Sequence, residues 1–307
     1  MSWETTFDTW AAAYLPDVAV VCDEPMSRHT SFRIGGPAKR MAFPQRGEQL
    51  VLLAEFARSC GARPLVIGNG TNLLVRDDGL DRLVIDTSRC LNRVEAGPEP
   101  GVLVADAGAT LARTADLACR LGLTGLEFAH GIPGTVGGGV CMNAGAYGGE
   151  IKQVLRCASV LFPEEGVRRL TAEELDLGYR HSLLADRPDG VVLSAEFSLS
   201  AGDEAAIRET MRDLMARRKA TQPLELPSAG STFKRPVGNF AGTLIDQCGL
   251  KGLTVGGAQV SEKHAGFVVN RGGATFDDVT ELIRRVQAAV LEETGVRLEP
   301  EVRIIEE

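Results

Sequence analysis

The stretch EFAHGIPGTVGGGVCMNAGAYGGE, residues 127–150, decides the fold of this chain. It holds eight glycines and neither lysine nor arginine. Glycine lets a ligand approach the main chain closely, but each glycine costs conformational entropy on folding. Apolar residues such as Phe128, Val136 and Tyr147 alternate with the glycines, whereas flexible linkers contain few apolar residues. The segment therefore predicts an ordered loop whose backbone N–H groups bind a pyrophosphate, with a purely structural loop as the alternative.

A second glycine turn lies about sixty residues before the first. The apolar run 64–67 predicts a strand, and the turn GNGTN, residues 68–72, follows it directly. The chain has no G-x-G-x-x-G between a strand and a helix and no GK[ST], which argues against a Rossmann site and a P-loop. The two glycine turns instead predict an α+β fold that binds one long dinucleotide through both.

Length and composition narrow the class of protein. The 307 residues exceed one ordinary core, so two or three domains are expected. A net charge of −8 argues against a nucleic-acid partner. The seven cysteines are scattered without a CxxC pair, and the four histidines lack metal-ligand spacing, which predicts a reducing compartment and no metal site. No secretion signal or membrane-length apolar run is visible, so a cytoplasmic protein without membrane insertion is expected.

Periodicity and turn residues place the secondary structure along the chain. Helices are predicted at 10–14, 47–60, 111–121, 203–220, 240–248 and 277–294, together with a short helix opened by a capping box at 171–174. Strands are predicted at 18–22, 64–67, 83–86, 102–105, 158–162, 191–199, 266–270 and in the tail after Gly295.

Several blocks of the sequence resemble one known family. They are FRIGGPA (32–38), VIGNGTNLLVRDDG (66–79), GIPGTVGGGVCMNAGAYGGEI (131–151), YRHS (179–182), SAGSTFKRP (228–236), AGTLIDQCGLKG (241–252), AQVSEKHAGFVVN (258–270) and LEPEVRII (298–305). Together they are similar to the UDP-N-acetylenolpyruvoylglucosamine reductase (UDP-N-acetylmuramate dehydrogenase) family, in its shorter type that lacks an extra tyrosine-bearing loop.

This resemblance implies a two-subdomain FAD-binding fold of the vanillyl-alcohol-oxidase class and a C-terminal α+β substrate-binding domain. We expect FAD-binding subdomains at 1–67 and 68–218, the substrate-binding domain at 219–295, and a tail, 296–307, that folds back onto the second subdomain. The resemblance also implies NADPH-dependent, FAD-mediated reduction of UDP-N-acetylglucosamine-enolpyruvate to UDP-N-acetylmuramate in peptidoglycan synthesis. A monomer acting on a small nucleotide sugar is expected.

The same resemblance assigns residues to the cofactor and to catalysis. The expected FAD-binding residues are Arg33, Gly68, Asn69, Gly70, Thr71, Asn72, Gly131, Ile132, Pro133, Gly134, Thr135, Gly137, Gly138, Asn143, Ala144 and Gly145. Arg180 would bind the substrate carboxylate, Ser231 would donate the proton, and Glu301 would act either as a neutral acid or by orienting a water or Ser231. Lys219 and Arg235 are further candidates for substrate contact.

Two other functions remain open at this stage. A flavoprotein oxidase or dehydrogenase of a sugar or hydroxy acid could use the same fold, but it would not need Arg180, Ser231 and Glu301 together. A nucleotide-sugar-binding regulator without turnover would not consume NADPH. The three residues also have ordinary alternatives, as a surface ion pair, a turn hydroxyl and a solvated charge.

Overall fold

The structure is a computed structural model and describes residues 2–163 and 165–306. Its helices, numbered in chain order, are α1 (Trp3–Tyr14), α2 (Gly47–Ser59), α3 (Leu111–Arg120), α4 (Val136–Cys141), α5 (Leu183–Asp186), α6 (Glu204–Thr221), α7 (Ala241–Gln247) and α8 (Phe276–Thr294). Its strands are β1 (Ala19–Pro25), β2 (Pro37–Phe43), β3 (Leu65–Ile67), β4 (Leu73–Val75), β5 (Leu80–Asp86), β6 (Val94–Ala96), β7 (Val102–Asp106), β8 (Leu123–Thr124), β9 (Gly145–Ala146), β10 (Gly149–Glu150), β11 (Leu155–Phe162), β12 (Gly166–Thr171), β13 (Val191–Ser198), β14 (Ser200–Ala201), β15 (Thr254–Val255), β16 (Ala258–Val260), β17 (Val268–Asn270) and β18 (Arg303–Ile305).

The chain divides into two compact units. The first unit contains the residues up to Cys22, Arg40–Asn69 and Arg82–Arg217. The second unit contains Asp23–Lys39, Gly70–Asp81 and the chain from Arg218 onward. This division differs from the three ranges expected from the sequence, and those domain bounds stay a prediction. The 68–72 turn is divided between the two units, with its first two residues in the first unit.

The first unit is built on a five-stranded sheet in the order β12-β11-β13-β7-β6, whose neighbouring strands are all antiparallel. Residues of this sheet pack with α3 and α4 in one apolar core that includes Phe197, Leu111 and Val140, each fully buried. The α3 helix begins at Thr110, whose side chain accepts a hydrogen bond from the N–H of Arg113. The predicted strand–turn–helix order at 102–121 is therefore confirmed.

A second core in the first unit lies where α1 and α2 pack with parts of β2 and β5. The rings of Trp10 and Phe56 stack with centroids 4.0 Å apart and planes inclined by 4°. Strands β3 and β5 run parallel, with Leu65 opposite Val84. Helix α1 begins at Trp3, seven residues before the predicted start, because Ser2 caps it by accepting a hydrogen bond from the N–H of Thr5.

The second unit packs α7 and α8 against the antiparallel sheet β15-β16-β17. Helix α8 begins with a capping box between Thr275 and Asp278 and ends at Gly295, whose φ is 71°. Its buried residues are Phe276, Val279, Leu282, Ile283, Val286 and Val290. The predicted helix is therefore confirmed. The tail forms β18, which pairs in parallel with β4.

Two local predictions were wrong. The capping box at 171–174 does form, because the Thr171 N–H donates to Glu174 Oε2 at 2.8 Å and the Glu174 N–H donates to Thr171 Oγ1 at 3.2 Å. However, residues 172–176 form turns, and Asp176 reaches a left-handed φ of 47°, which a helix cannot continue. The 127–150 segment is not entirely a loop either, since α4 forms at its centre.

Candidate active site

Helix α4 gives the 127–150 segment a fixed shape in the first unit. Thr135 caps the helix: its Oγ1 accepts a hydrogen bond from the N–H of Gly138 at 3.4 Å, and its carbonyl accepts one from Gly139 at 2.8 Å. Val136 and Val140 are fully buried in the core of the unit. Burial of these two valines holds the helix in place although glycine has a poor helix propensity.

The glycines of this region differ in the contacts that a side chain at their position would make. A Cβ at Gly68 would lie 2.3 Å from Thr135 Oγ1, so close packing requires glycine there, and a Cβ at Gly137 would make a tight contact, 3.0 Å from Ala107 Cβ. A Cβ at Gly138 would meet only Thr135 Oγ1, at an ordinary 3.6 Å, and Gly138 is exposed. Packing within the chain thus leaves the glycine at 138 unexplained, whereas a ligand lying against its backbone would explain it.

The structure brings together the start of the 68–72 turn and the 127–150 segment. Besides the contact of Gly68 with Thr135, Asn69 Nδ2 donates a hydrogen bond to the Pro133 carbonyl oxygen at 2.8 Å. These stretches are about sixty residues apart in sequence and form adjacent walls of one site in the first unit. Other predicted cofactor residues of this unit are partly exposed: Gly131, Ile132, Gly134, Ala144 and Gly145.

The rest of the 68–72 turn belongs to the second unit, where it is bound to the segment that carries Arg33. Gly70 has a φ of 58°, and a Cβ there would lie 2.0 Å from the His29 carbonyl oxygen. The Ser31 N–H donates to the Gly70 carbonyl at 3.2 Å. Arg33 is exposed and also has a left-handed φ, 55°, while Thr71 is partly exposed. Only glycine fits position 70 in this arrangement.

The backbone of Glu301 is bound on both sides within the second unit. Its N–H donates to the Thr232 carbonyl oxygen at 2.8 Å, and its own carbonyl accepts a hydrogen bond from Asn72 Nδ2 at 3.1 Å. The Arg303 N–H donates to the Asn72 carbonyl at 2.9 Å, which continues into the pairing of β18 with β4. Asn72, predicted for the cofactor, therefore fixes the tail that carries Glu301.

The same pairing places Ser231 close to Glu301. Phe233 and Pro300 form an antiparallel bridge, so Thr232 lies opposite Glu301 and Ser231 is the next residue along. Ser231 is exposed and Glu301 is partly exposed, whereas Phe233 is buried. The structure thus places the backbones of two of the three predicted catalytic residues on paired segments of the second unit, one residue apart in register.

Thr232 is a residue of this site that the sequence did not single out. Its N–H donates to the Gly266 carbonyl at 2.8 Å, and its Oγ1 accepts a hydrogen bond from the Val268 N–H at 2.9 Å. With the bond from Glu301, three chain segments meet at this one buried threonine, which is only 2% exposed. In the sequence it looks like an ordinary turn residue of GSTF, and no local signal shows its three partners.

One of the segments bound by Thr232 includes a buried histidine. The His264 Nδ1 accepts a hydrogen bond from the Gly266 N–H at 3.1 Å, which requires that nitrogen to be unprotonated. Burial of the His264 ring lowers its pKa below the ordinary value. The ring is therefore neutral at neutral pH and acts as a fixed acceptor within the turn that presents the Gly266 carbonyl to Thr232.

Arg180, the third predicted catalytic residue, lies in the first unit at the tip of a tight turn. The Gly178 and His181 backbones bond to each other across this turn, with N···O distances of 3.1 and 3.3 Å. Arg180 has a left-handed φ of 53° and its Nη2 donates to the Gly145 carbonyl at 3.0 Å. Its guanidinium carbon lies 5.1 Å from the centre of the Tyr179 ring.

The two further substrate candidates lie in the second unit. Lys219 is exposed, and its carbonyl oxygen accepts a hydrogen bond from Lys263 Nζ at 2.7 Å. The Arg235 guanidinium lies 4.7 Å from the centre of the Phe240 ring, and both side chains are exposed. These contacts do not test a role in substrate binding, which stays a prediction. Among the described residues, His, Cys, Asp and Glu side chains form no group suited to hold a metal ion.

Comparison with known proteins assigns the two parts of the chain. Residues 38–171 match the family model of an FAD binding domain, and residues 222–305 match the model of the C-terminal domain of UDP-N-acetylenolpyruvoylglucosamine reductase. The UDP-N-acetylenolpyruvoylglucosamine reductase of Levilactobacillus brevis is 50% identical over 296 residues, covering 96% of each chain. That of Agathobacter rectalis is 49% identical over 312 residues, covering 98% of this chain and 99% of the relative.

Solved structures agree with the sequence comparison. A crystal structure of UDP-N-acetylenolpyruvylglucosamine reductase from Thermus caldophilus matches with a TM-score of 0.78 and 37% identity, covering 94% of this chain and 98% of that one. A structure of alkyldihydroxyacetonephosphate synthase is similar in fold alone, with a TM-score of 0.50 and 16% identity over 64% of this chain and 40% of that one. The expected fold class, an FAD-binding fold of the vanillyl-alcohol-oxidase class with a C-terminal α+β domain, is confirmed.

Proposed function

We propose that this chain, which belongs to the UDP-N-acetylenolpyruvoylglucosamine reductase family, reduces UDP-N-acetylglucosamine-enolpyruvate to UDP-N-acetylmuramate in peptidoglycan synthesis. It uses FAD and NADPH. The observation that carries this proposal is the match to the family along nearly the whole chain, both relatives and family models included. The pairing of the segments that carry Ser231 and Glu301 in the second unit places their backbones close together, which is consistent with the catalytic assignments that follow.

The residues of the glycine turns fit FAD. Gly138 is exposed and its Cα is open to a close ligand, while the Asn69–Pro133 bond holds the neighbouring walls together. Gly131 and Gly134 of the same segment are partly exposed, and backbone N–H groups in such turns bind phosphate oxygens. Bound at this site, FAD would supply the hydride chemistry that links NADPH to the methylene carbon of the enolpyruvyl group.

The chain's own side chains handle the charge and the proton. Arg180 binds the substrate carboxylate through the two parallel N–H groups of its guanidinium, and it balances the negative charge that grows there during hydride transfer. Ser231 donates the proton to the carbon next to the carboxylate, which completes the addition of hydride and proton across the double bond. A serine hydroxyl is a weak acid, so it acts here on a strongly basic carbon.

Glu301 assists this proton transfer in one of two ways. It either remains protonated and donates a hydrogen bond, or it orients Ser231 or a water molecule. An ionised carboxylate placed directly against the growing negative charge would repel it, which limits Glu301 to these roles. Its backbone bonds to Thr232 and Asn72 fix its position in either case.

Replacement of Ser231 by alanine tests the proposal because the two half-reactions need different groups. Reduction of the flavin by NADPH needs no proton donor to the sugar substrate, so its rate should be close to that of the unmodified protein. Reoxidation by the enolpyruvyl substrate should slow by about a hundredfold or more, the usual effect of a missing general acid. Both rates are measured by anaerobic stopped-flow absorbance of the flavin.

Ser59→Ala is a matched control, since the exposed Ser59 hydroxyl donates to a backbone carbonyl at the end of α2. Both half-reactions should be unchanged in this control. Equal slowing of both half-reactions in Ser231→Ala would make Ser231 a structural residue. A purified protein without flavin, or one whose flavin is not bleached by NADPH, would refute the proposed reaction itself.

The remaining parts of the proposal concern where and how the protein works. We propose a monomer in the cytoplasm that acts on a nucleotide sugar in solution. In the described part of the chain, which contains all seven cysteines, no disulfide is formed, as suits a reducing compartment. No described helix combines the length and apolar character needed to cross a membrane. Size-exclusion chromatography with light scattering tests the monomer.

A further inference from the structure

Two buried polar side chains hold the turn that carries Arg180. Asn143 and Ser182 are both fully buried, and both bond to backbone carbonyls across the gap between the 127–150 segment and the turn. Asn143 Nδ2 donates to the Gly178 carbonyl at 2.8 Å, and Ser182 Oγ donates to the Cys141 carbonyl at 2.7 Å. These bonds lie on either side of Arg180, whose own Nη2 donates to Gly145 at 3.0 Å.

Both the nitrogen and the oxygen of the Asn143 side-chain amide form hydrogen bonds within the protein. Its Nδ2 also donates to Glu150 Oε2 at 3.1 Å, and its Oδ1 accepts a hydrogen bond from the Lys152 N–H at 2.9 Å. These bonds fix the orientation of the amide. If its oxygen and nitrogen were exchanged, the oxygen would face two acceptors and the nitrogen would face a donor. Buried groups with such complete bonding keep a unique geometry.

The turn needs this support because it contains unfavourable backbone geometry. Within the turn, Arg180 has a φ of 53°, in the left-handed region that L-residues other than asparagine and aspartate rarely adopt, while Asn143 in the neighbouring 127–150 segment has a φ of 40°. Such conformations persist only where the surrounding structure enforces them, and they are concentrated at functional sites. A relaxed turn would move the Arg180 backbone, and with it the guanidinium.

We propose that Asn143 and Ser182 are positioning residues for Arg180: their hydrogen bonds to Gly178 and Cys141 hold the arginine turn in the geometry that binds the substrate carboxylate. This inference rests on the proposed function, in which Arg180 is the carboxylate-binding residue. It gives the amide of Asn143 a role inside the protein in place of a side-chain contact to the cofactor. Both side chains are fully buried, so their effect on the substrate is expected to pass through the arginine turn that they bond to.

A double-mutant cycle tests this because residues that act through Arg180 lose their effect when the guanidinium is absent. The variants are Ser182→Ala and Asn143→Gly, each alone and combined with Arg180→Ala. Glycine at 143 keeps the left-handed φ without strain and removes only the amide. The measured quantity is the rate at which the substrate reoxidises the reduced, flavin-loaded protein in a single turnover.

With Arg180 present, we expect each single variant to slow reoxidation by about tenfold to a hundredfold, the usual cost of a misplaced binding group. Combined with Arg180→Ala, each should slow it further by less than about twofold. In Ser182→Ala, reduction of the flavin by NADPH and the flavin content should stay within about twofold of the unmodified protein, as for an effect confined to one half-reaction. Ser59→Ala is the control and should change neither rate.

Several outcomes would overturn the inference. Equal factors with and without Arg180 would mean that Asn143 and Ser182 act independently of it, as structural residues do. Unchanged reoxidation in Ser182→Ala and Asn143→Gly, with flavin retained, would show that the turn needs neither bond. Asn143→Asp, which keeps the shape and Oδ1 but loses the donors, replaces the glycine variant if that variant loses its flavin. Unchanged reoxidation in Arg180→Ala alone would instead refute the proposed role of Arg180, and this inference with it.

Discussion

Replacing Gly138 by alanine should stabilise the flavin-free protein and weaken its binding of FAD. A Cβ at 138 would meet only Thr135 Oγ1, at 3.6 Å, and the φ of Gly138 is not in the left-handed region. The new methyl group therefore fits within the protein itself. Alanine is favoured over glycine in a helix by up to about 1 kcal/mol, so α4 should become more stable by a comparable amount.

The methyl group should be unfavourable only when FAD is bound. If the glycine at 138 exists to let FAD lie against the backbone, a methyl group there must displace the cofactor or the helix. Overpacking by one such group costs about 1–3 kcal/mol, which raises the Kd for FAD by about fivefold to a hundredfold. The distinctive result is therefore a flavin-free protein that is more stable and that binds FAD more weakly than the unmodified protein.

Gly137→Ala is the matched control on the preceding residue. Its Cβ would lie 3.0 Å from Ala107 Cβ and 3.2 Å from the Ala107 carbonyl oxygen, so this variant should gain less stability than Gly138→Ala, whose Cβ has no contact this tight. The assay strips the flavin from both variants and from the unmodified protein, follows thermal unfolding, and then titrates FAD by quenching of flavin fluorescence. A Gly138→Ala protein that binds FAD as tightly as the unmodified protein would refute the reasoning.

Three further predictions follow from single contacts. Thr232→Val keeps the shape but leaves the buried Val268 N–H without its acceptor, so urea unfolding should show a loss of about 1–3 kcal/mol, whereas Thr232→Ser should lose little. The hydrogen bond from the Thr275 N–H lowers the pKa of Asp278 below its ordinary 3.8. Asp278 therefore makes its full contribution to the stability of the protein above pH 3.8. This contribution is lost as the pH falls through the lowered pKa that Asp278 has in the folded protein. The melting-temperature advantage over Asp278→Asn should therefore shrink on acidification, and an advantage that is constant with pH would contradict this. Glu301→Gln should lose turnover while NADPH still bleaches the flavin, and an unchanged rate and pH profile would remove Glu301 from catalysis.

The sequence predicts an element well where several local signals agree. At α8 the capping box, the apolar spacing and the closing glycine all indicate one helix, and the structure has it. At 171–174 the capping box stands alone. Its hydrogen bonds form, but the buried apolar residues that follow, Leu175 and Leu177, are two positions apart and so do not share one face of a helix, and the backbone turns away at Asp176. Hydrogen bonds at a cap do not by themselves offset the entropy of ordering a helix.

The glycines of the 127–150 segment could not be sorted by sequence alone. A glycine in tight contact with a neighbouring side chain, as at Gly137, and one open to a ligand, as at Gly138, look identical in the sequence. Their difference arises from Ala107, which lies thirty residues earlier in the chain. For the same reason α4 was missed, since its stability comes from the burial of Val136 and Val140 and not from the propensity of its residues.

The residues that support the site were hidden for a related reason: their partners are distant in sequence. Asn72 bonds to Glu301 across 229 positions, and Thr232 to Val268 across 36. Resemblance to a family assigned Ser231 and Glu301, the residues with chemical roles. It did not show that Thr232, a buried neighbour, connects the segments carrying both.

The hydrogen bonds that hold the tail allow the position of Glu301 to be tested separately from the chemistry of its carboxyl group. Both Glu301 bonds, to the Thr232 carbonyl and from Asn72 Nδ2, use backbone groups and so persist whatever side chain stands at 301. The Lys234 N–H donates to the Glu299 carbonyl at 2.8 Å before this point and strand β18 pairs three residues with β4 beyond it, so the tail is held on both sides of Glu301. A substitution at 301 consequently changes the acid–base group while leaving its backbone in place. Substitution of Asn72 should do the reverse, moving Glu301 without altering its carboxyl group, so the two variants together distinguish where the glutamate must be from what it must do.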